Sequence, residues 1–214
     1  MPILAATILD SAAGTLLDRA HRTWSANDLL EYLNEGLRAT AFVKPDMYVV
    51  ELPFTPAAGE AQECPDDTVA LFDIPRNTGG RIITQVDKSL LDESNRFWPA
   101  ATQETVVEHF TYDPRYPRRF VVFPPNDGTG SIDLNRGAVP PQVNYDTEEI
   151  DIPASYQTVL EQFVLCKCYA KNTKRQDLTK SAAAMQQWGS LLGLKSNAQI
   201  AASPKVAAQP GTSA

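Results

Sequence analysis

The residues that bind metals and form disulfides are scarce in this sequence. Its 214 residues include three cysteines and two histidines. Cys166 and Cys168 lie in a segment with helical periodicity, where side chains two positions apart point about 200° apart, so they neither share an ion nor bridge each other. Cys64 is isolated, and His21 and His109 fall in separate elements. We therefore expect reduced thiols, as in a reducing compartment, and no metal or other cofactor.

Long apolar runs and an excess of positive charge are also missing. No run approaches the length of a membrane span, about 18 residues, and residues 1–9 lack the charged start of a secretory signal. We therefore expect synthesis in the cytoplasm and no membrane contact. The net charge is -7 and the isoelectric point is near 4.9. These values argue against general nucleic-acid binding, because such binding needs a basic face. An acidic protein can nevertheless surround DNA without holding it.

Recognisable catalytic motifs are absent as well. There is no GxSxG elbow, and the glycine-rich stretch 128–131 lacks the lysine and the following helix of a phosphate-binding loop. Acidic pairs occur at 66–67, 92–93 and 148–149. Adjacent carboxylates on an extended chain point to opposite faces, so none is a ready acid–base pair. His109 lies within a strand run, which is typical of a structural histidine, and we assign no catalytic residue.

Helical patterns are present at the N-terminal end. The apolar side chains of residues 3–20 have helical spacing, which predicts a first helix. Ser25 and Asp28 form a capping-box pattern that predicts the start of a second helix, which ends before Pro45. Trp24 directly precedes the cap, and we expect it to pack against the start of that helix.

The pattern changes between Met47 and Tyr145. Short runs rich in valine, isoleucine and threonine alternate with prolines and glycines, which is typical of an antiparallel sheet or a small sandwich. Residues 90–98 are interpreted as a turn or loop that packs its leucines and aromatic side chains on the sheet. The predicted strands are 48–52, 69–72, 81–86, 105–112, 119–123 and 131–134.

We interpret the last three of these strands as an antiparallel meander, with Pro124 and Pro125 ending the middle one. Its first turn is stiffened by a proline and crowded by three arginines, Arg115, Arg118 and Arg119. Two interpretations of the arginines stay open: a solvated turn, or a contact with DNA phosphate or an acidic partner.

Helical signals return at Pro153. The apolar residues from Tyr156 to Cys168 make a broad face, so this helix should be among the most buried of the fold. Its last turns carry a basic stripe, which either complements the helix dipole or contacts an acidic neighbour or phosphate. The stripe consists of Lys167, Lys171, Lys174 and Arg175. After it, Asp177 is placed to cap a last helix.

Together these elements predict an α+β protein. The helices of residues 1–46 and 150–200 form a helical bundle, and residues 47–149 form a central antiparallel β-rich insertion. Residues 201–214 form an extended C-terminal tail, because the sequence after Ile200 cannot bury enough apolar area to order itself.

Four blocks of the sequence resemble, in the same order, the head-to-tail adaptor proteins of tailed bacteriophages. The first is the helix pair joined through Trp24-Ser25 and continuing into LLEYLNEGLR. The second, residues 59–67, is similar to the family's turn of glycine, glutamine, proline and aspartate, with Cys64 where leucine is usual. The others are VDKSLLDESNRFWP and DPRYPRRFVVFPP. The resemblance covers about residues 3–170.

This resemblance implies a structural protein and no enzyme. Such adaptors have a helical body that docks on the portal protein and a β module that faces a tail, nozzle or tail-tube protein. They assemble as a homo-oligomeric ring, usually of twelve copies, in the neck of the virion. Double-stranded DNA passes through the ring without sequence-specific binding.

Contact residues follow as expectations from this role. We expect the C-terminal segment from Ile200 onward to become ordered on the portal, through Ile200, Pro204, Val206 and Pro210. We expect Arg115, Arg118 and Arg119 to face a neighbouring subunit, the phage tail or the DNA channel. Two alternatives remain: another neck or tail-completion protein that binds the tail tube, or a carboxylate-dependent hydrolase acting on glycans, which would need paired carboxylates about 5–10 Å apart in a concave pocket.

Overall fold

A computed structural model describes residues 2–94 and 96–194 of the protein, and its architecture is α+β. The helices are α1 (Ala5–Thr15), α2 (Ala26–Val43), α3 (Lys88–Ser94), α4 (Gln157–Ala170) and α5 (Leu178–Leu191). The strands are β1 (Ile3–Leu4), β2 (Val49–Phe54), β3 (Gly59–Glu63), β4 (Thr68–Asp73), β5 (Thr84–Gln85), β6 (His109–Tyr112), β7 (Arg119–Asn126), β8 (Ile132–Ala138) and β9 (Glu149–Ile150).

The start of α2 follows the predicted capping box. The Asp28 N–H donates to Ser25 Oγ at 3.1 Å, and the Ser25 N–H donates to Asp28 Oδ2 at 2.9 Å. Both bonds satisfy amide groups near the start of the helix that have no partner within it. Trp24 is 1% exposed, and its indole N–H donates to the Cys168 carbonyl on α4 at 2.9 Å. The capping box is confirmed, and Trp24 is buried in the same core as Leu29 of α2 while its indole is bonded to α4.

α1 is shorter than the predicted helix over residues 3–20. Residues 3–4 pair with β9 as β1, and Leu17 has a left-handed backbone conformation with φ of 54°, which ends the helix. The Asp18 carboxylate then accepts hydrogen bonds from the backbone N–H groups of residues 22–24 at 2.8 to 3.0 Å. These bonds turn the chain into α2, and the periodicity of apolar residues does not reveal them.

The helical core forms where α4 packs against α1, α2 and α5. The predicted apolar face of α4 is confirmed, since Leu160, Val164 and Cys168 are fully buried at 0% exposure. Asn34 on α2 donates its side-chain amide to the Val143 carbonyl at 2.8 Å and accepts from the Val143 N–H at 2.9 Å. The chain returning from the sheets is thereby fixed to the helices.

The β-rich part contains two sheets that share a core. β2, β8 and β4 form a three-stranded antiparallel sheet in that order. β3, β7, β6 and β5 form a four-stranded sheet in that order, antiparallel except between β5 and β6. Of the two predicted alternatives, a single sheet or a small sandwich, the structure has the second. Buried side chains from both sheets include Phe110, Phe120, Val122, Ile132 and Leu134.

The predicted three-stranded meander is wrong in its third strand. β6 and β7 form the expected hairpin, but β8 pairs with β2 and β4 in the other sheet. The connection after β7 is held by the Asn126 side-chain amide, which donates to the carbonyls of Glu104 at 3.2 Å and Thr105 at 3.1 Å and accepts from the Gly128 N–H at 2.8 Å. A Cβ on Gly130 would lie 2.3 Å from the Thr105 carbonyl oxygen, so this close approach requires glycine. These contacts come from a distant segment, which the local turn pattern cannot show.

β7 continues through Pro124 and Pro125, contrary to the prediction that these prolines end the strand. The Phe123 carbonyl accepts from the Glu108 N–H at 2.9 Å, and the Pro125 carbonyl accepts from the Glu104 N–H at 2.8 Å. The neighbouring segment donates to carbonyl groups here, so the N–H that proline lacks is not needed.

Residues 88–94 form a helix where the sequence predicts a turn or loop. Asp87 caps it, because its carboxylate accepts from the backbone N–H of the second helical residue at 3.0 Å. The predicted packing of this segment on the sheet is confirmed for Trp98, which is 3% exposed and contacts the Phe123 ring of β7 edge-on. Leu91 is also buried, whereas Leu90 and Phe97 are exposed. A helix of this length has too few apolar positions for its period to be read from sequence.

β2 lies at the edge of the three-stranded sheet. The Ala138 N–H donates to the Tyr48 carbonyl at 3.0 Å, so the backbone groups of Val49, Glu51 and Pro53 point to the open side. Pro53 has no N–H, and it therefore interrupts the row of donors along this edge.

Candidate interaction site

The hairpin between β6 and β7 presents the three arginines predicted as a contact site. The Tyr116 N–H donates to the Asp113 carbonyl, and the Arg119 N–H donates to the Tyr116 carbonyl, both at 2.9 Å. The Asp113 carboxylate also accepts from the Arg115 N–H at 3.0 Å. These backbone bonds fix the shape of the turn, so the arginines start from defined positions.

The three guanidinium groups have different surroundings. Arg115 pairs with Asp113, with Nη2 2.6 Å from Oδ2, and this hydrogen bond lowers the pKa of the Asp113 carboxyl and raises the pKa of Arg115. Arg118 forms an ion pair with Asp66. Arg119 is exposed and has no ion pair within the described residues. The spacing Asp-Pro-Arg at the start of the turn is the sequence signal for the first pair, whereas the Asp66 partner is distant in sequence.

A groove of about 800 Å³ lies beside the hairpin tip and is lined by residues 85–88, 111–116 and 119–121. Two carboxyl groups, Asp87 and Asp113, are among its lining residues. The Ser89 backbone N–H, followed by the Ser89 hydroxyl, donates to Asp87 and lowers the pKa of that carboxyl. A glycoside hydrolase needs an acid with a raised pKa, so two carboxyls with lowered pKa values do not support the hydrolase alternative.

This groove was not predicted from the sequence. Its walls come from three segments that are separated along the chain, and the first of them ends at the start of the unpredicted helix α3. The predicted hairpin places the second and third segments together, but no local pattern brings residues 85–88 beside them.

The basic residues predicted as a stripe do not share one helical face, because α4 ends at Ala170. Lys167, on the last turn of α4, forms an ion pair with Glu35 on α2. Lys171 Nζ lies 2.7 Å from Asp28 Oδ1, and this hydrogen bond lowers the pKa of Asp28 and raises the pKa of Lys171. The acidic neighbour of these two lysines is therefore helix α2 of the same chain.

The remaining two basic residues lie in the loop after α4. Arg175 Nη1 donates to the Leu16 carbonyl at 3.1 Å, and its guanidinium lies 5.9 Å from the centre of the Trp24 ring. Lys174 is exposed and has no ion pair in the part of the chain that the structure covers. Lys174 is thus the member of the group that has neither an ion pair nor a cation–π contact among the described residues.

The predicted portal-docking residues Ile200, Pro204, Val206 and Pro210 lie outside the described residues.

The cysteines are free thiols with different exposure. Cys64 and Cys168 are buried, and burial raises their pKa values to about 11 and about 12, so both stay protonated at neutral pH. Cys166 is half-buried. Across residues 2–94 and 96–194, no three histidine, cysteine, aspartate or glutamate side chains are grouped for metal binding. Within the same ranges, no helix combines the length and the apolar character of a membrane span.

Comparison with known proteins gives one family. The family model described as SU10 adaptor protein matches residues 4–210. A comparison with curated proteins gave no significant match.

Proposed function

Because the chain belongs to the SU10 adaptor protein family, a family of phage structural adaptors, we propose that it assembles as a ring beneath the portal and provides the docking surface for the phage tail. The observation that carries this proposal is the match itself, which spans almost the whole chain, including the helices and both sheets. In this role the protein is a component of the virion neck.

The two main cores lie in different parts of the chain, and we assign a separate binding role to each part. One core draws its buried residues mostly from α1, α2 and α4, and the other from the two sheets. We propose that residues 1–46 and 150–200 form the helical body that docks on the portal. Residues 47–149 then form the β-rich domain that faces a tail, nozzle or tail-tube protein.

The proposed ring has twelve copies around a DNA channel. A cyclic ring is built from heterologous contacts that close, so each subunit uses two different faces. The net charge of -7 suits a channel that DNA traverses, since a basic lumen would bind DNA through counterion release. Arg115, Arg118 and Arg119 are proposed to contact a neighbouring subunit, the phage tail or the channel.

Ring assembly is tested by mixing the protein with purified portal and imaging the complex by electron microscopy. Rings seated on the portal are the expected result. Binding to tail tubes with no binding to the portal would instead identify another neck or tail-completion protein. Failure to bind either would refute the proposed function.

The C-terminal tail, residues 201–214, is proposed to dock on the portal together with Ile200. A variant that ends at residue 199 should lose attachment to portal-bearing heads. The matched control replaces residues 200–214 by a glycine–serine segment of equal length, which should fail in the same way. Unchanged attachment of the shortened variant would contradict this role.

A further inference from the structure

The groove beside the hairpin tip lies where the four-stranded sheet is interrupted. β5 pairs with β6 through the Thr84 N–H, which donates to the Glu108 carbonyl at 3.0 Å, and the Val86 N–H, which donates to the Phe110 carbonyl at 2.9 Å. The chain then leaves the sheet and enters α3 at Lys88. β5 is thus only two residues long, whereas the sequence predicts a strand over residues 81–86. The rest of the β6 edge is therefore left uncovered.

The uncovered part of this edge carries free backbone groups. Alternate residues of a strand direct their backbone groups to the same side, so the residue that follows Phe110 on the outer side of β6 is Tyr112. Neither the N–H nor the carbonyl of Tyr112 has a hydrogen-bond partner among the residues that the structure describes. Since unpaired sheet edges are templates for a further strand, this position can accept one.

The charges around the edge favour an acidic occupant. Arg119 and Lys88 line the groove and have no ion pair in the described part of the chain. The carboxylates of Asp87 and Asp113 also line it, but Ser89 and Arg115 already donate hydrogen bonds to them. The protein as a whole, with a net charge of -7, repels an acidic segment, but the unpaired cations of this groove attract one.

The groove also offers apolar contacts at strand spacing. Tyr116 is 58% exposed at one end, and Val121, half-buried on β7, lines it beside Thr111 on β6. Arg119 and Val121 are two residues apart on β7 and therefore share one face of the sheet. Acidic side chains of an added strand that point to this face meet Arg119, while the alternate aliphatic side chains point to the other face, where Tyr112 packs against the core.

We propose that an extended acidic segment of a partner protein adds as a strand to the β6 edge at Tyr112, with its carboxylates meeting Lys88 and Arg119. The segment satisfies both backbone groups of Tyr112, since a peptide supplies a donor and an acceptor. A nucleic-acid phosphate fits less well, because it would place negative charge beside the Tyr112 carbonyl. That the partner is a tail-side protein rests on the proposed function, whereas the strand site itself does not.

The probe is an eight-residue peptide of alternating valine and glutamate, blocked at both ends, and its counterpart with lysine in place of glutamate. Amide hydrogen exchange of the full chain is followed by NMR at Tyr112. The acidic peptide should slow exchange of the Tyr112 amide by at least tenfold at saturation, which corresponds to about 1.4 kcal/mol. The lysine peptide should leave it unchanged.

Charge-reversal variants separate this site from general attraction. Arg119→Glu and Lys88→Glu should each weaken the binding affinity of the acidic peptide by up to about fivefold, as expected for an exposed ion pair. Lys174→Glu makes the same charge change at an exposed position outside the groove and should have no effect.

Four results would overturn the proposal. One is equal binding of the acidic and basic peptides, and another is binding that leaves exchange at Tyr112 unchanged. The third is protection of Tyr112 by a short DNA duplex in preference to the peptide. The fourth is protection that follows self-association of the chain without any probe. Ring formation on the portal is measured separately, so failure of this site leaves the proposed function standing, and the reverse also holds.

Discussion

Side-chain amides stand in for missing backbone partners at several positions in this protein. Asn34 exchanges two hydrogen bonds with Val143, and Asn77 exchanges two with Val107 at 2.7 and 2.9 Å. All four residues are buried or border the core. Each amide satisfies one donor and one acceptor that would otherwise be buried without a partner.

Replacing Asn34 tests this role at the level of one residue. Asn34→Ala leaves the N–H and the carbonyl of Val143 unpaired, so we expect the free energy of unfolding to fall by roughly 2–4 kcal/mol. The measurement is urea unfolding followed by circular dichroism. The control Asn27→Ala changes an exposed residue of the same helix and should stay within about 0.5 kcal/mol. Equal losses for the two variants would contradict the assignment.

Asp18 makes stability depend on pH. The hydrogen bond from the Trp24 N–H, followed by those from Thr23 and Arg22, lowers the pKa of this carboxyl below its usual 3.8. A group with a lowered folded-state pKa stabilises the fold above its unfolded pKa, and this contribution is lost as the pH falls through the folded value. Asp18→Asn should therefore lower Tm at neutral pH, and the difference in Tm between this variant and the wild type should become smaller below pH 3.8.

Thermal unfolding from neutral pH down to about pH 3 checks this expectation. Asp10→Asn, which removes an exposed carboxylate on α1, is the matched control and should show a small gap throughout. A gap for Asp18→Asn that stays constant across this range would show that the stabilisation does not depend on the charge of Asp18.

The connection from β7 to β8 decides the topology at the scale of elements. Because β8 joins the other sheet, the chain must pass close to residues 104–105, and Gly130 lies at the contact. Gly130→Ala should lower stability by about 1–3 kcal/mol through overpacking. Gly80→Ala is the control, since its added Cβ would make an ordinary contact at 3.5 Å from the Asn77 side chain. Thermal unfolding of both variants makes the comparison, and a stable Gly130→Ala protein would contradict the close approach.

The elements that could be predicted from sequence are those defined by neighbouring residues. The Ser25–Asp28 cap and the apolar face of α4 are local patterns, and the structure confirms both. The partner of β8 and the continuation of β7 through Pro125 depend on contacts with distant segments, and both were predicted wrongly. The open edge at Tyr112 was missed for the same reason, because distant segments decide whether its backbone groups find a partner.

At the scale of the whole molecule, charge governs the relation to DNA. A subunit of net charge -7 should repel a duplex that passes through the proposed ring. We expect rings on the portal to bind a short duplex of arbitrary sequence more weakly than about 10⁻⁴ M at about 0.15 M salt. Fluorescence anisotropy of a labelled duplex measures this. Tighter binding that falls steeply with added salt would indicate a basic surface in the channel.

Two of the strand edges of the sandwich, β2 and the uncovered part of β6, differ in what they can accept. Pro53 breaks the row of donors along β2, so that edge is a poor template for stacking one copy on the next. The β6 edge is open at Tyr112, and the groove beside it favours an acidic strand. Of these two edges, β2 therefore resists the stacking of copies, whereas β6 keeps one position open for the strand of a partner.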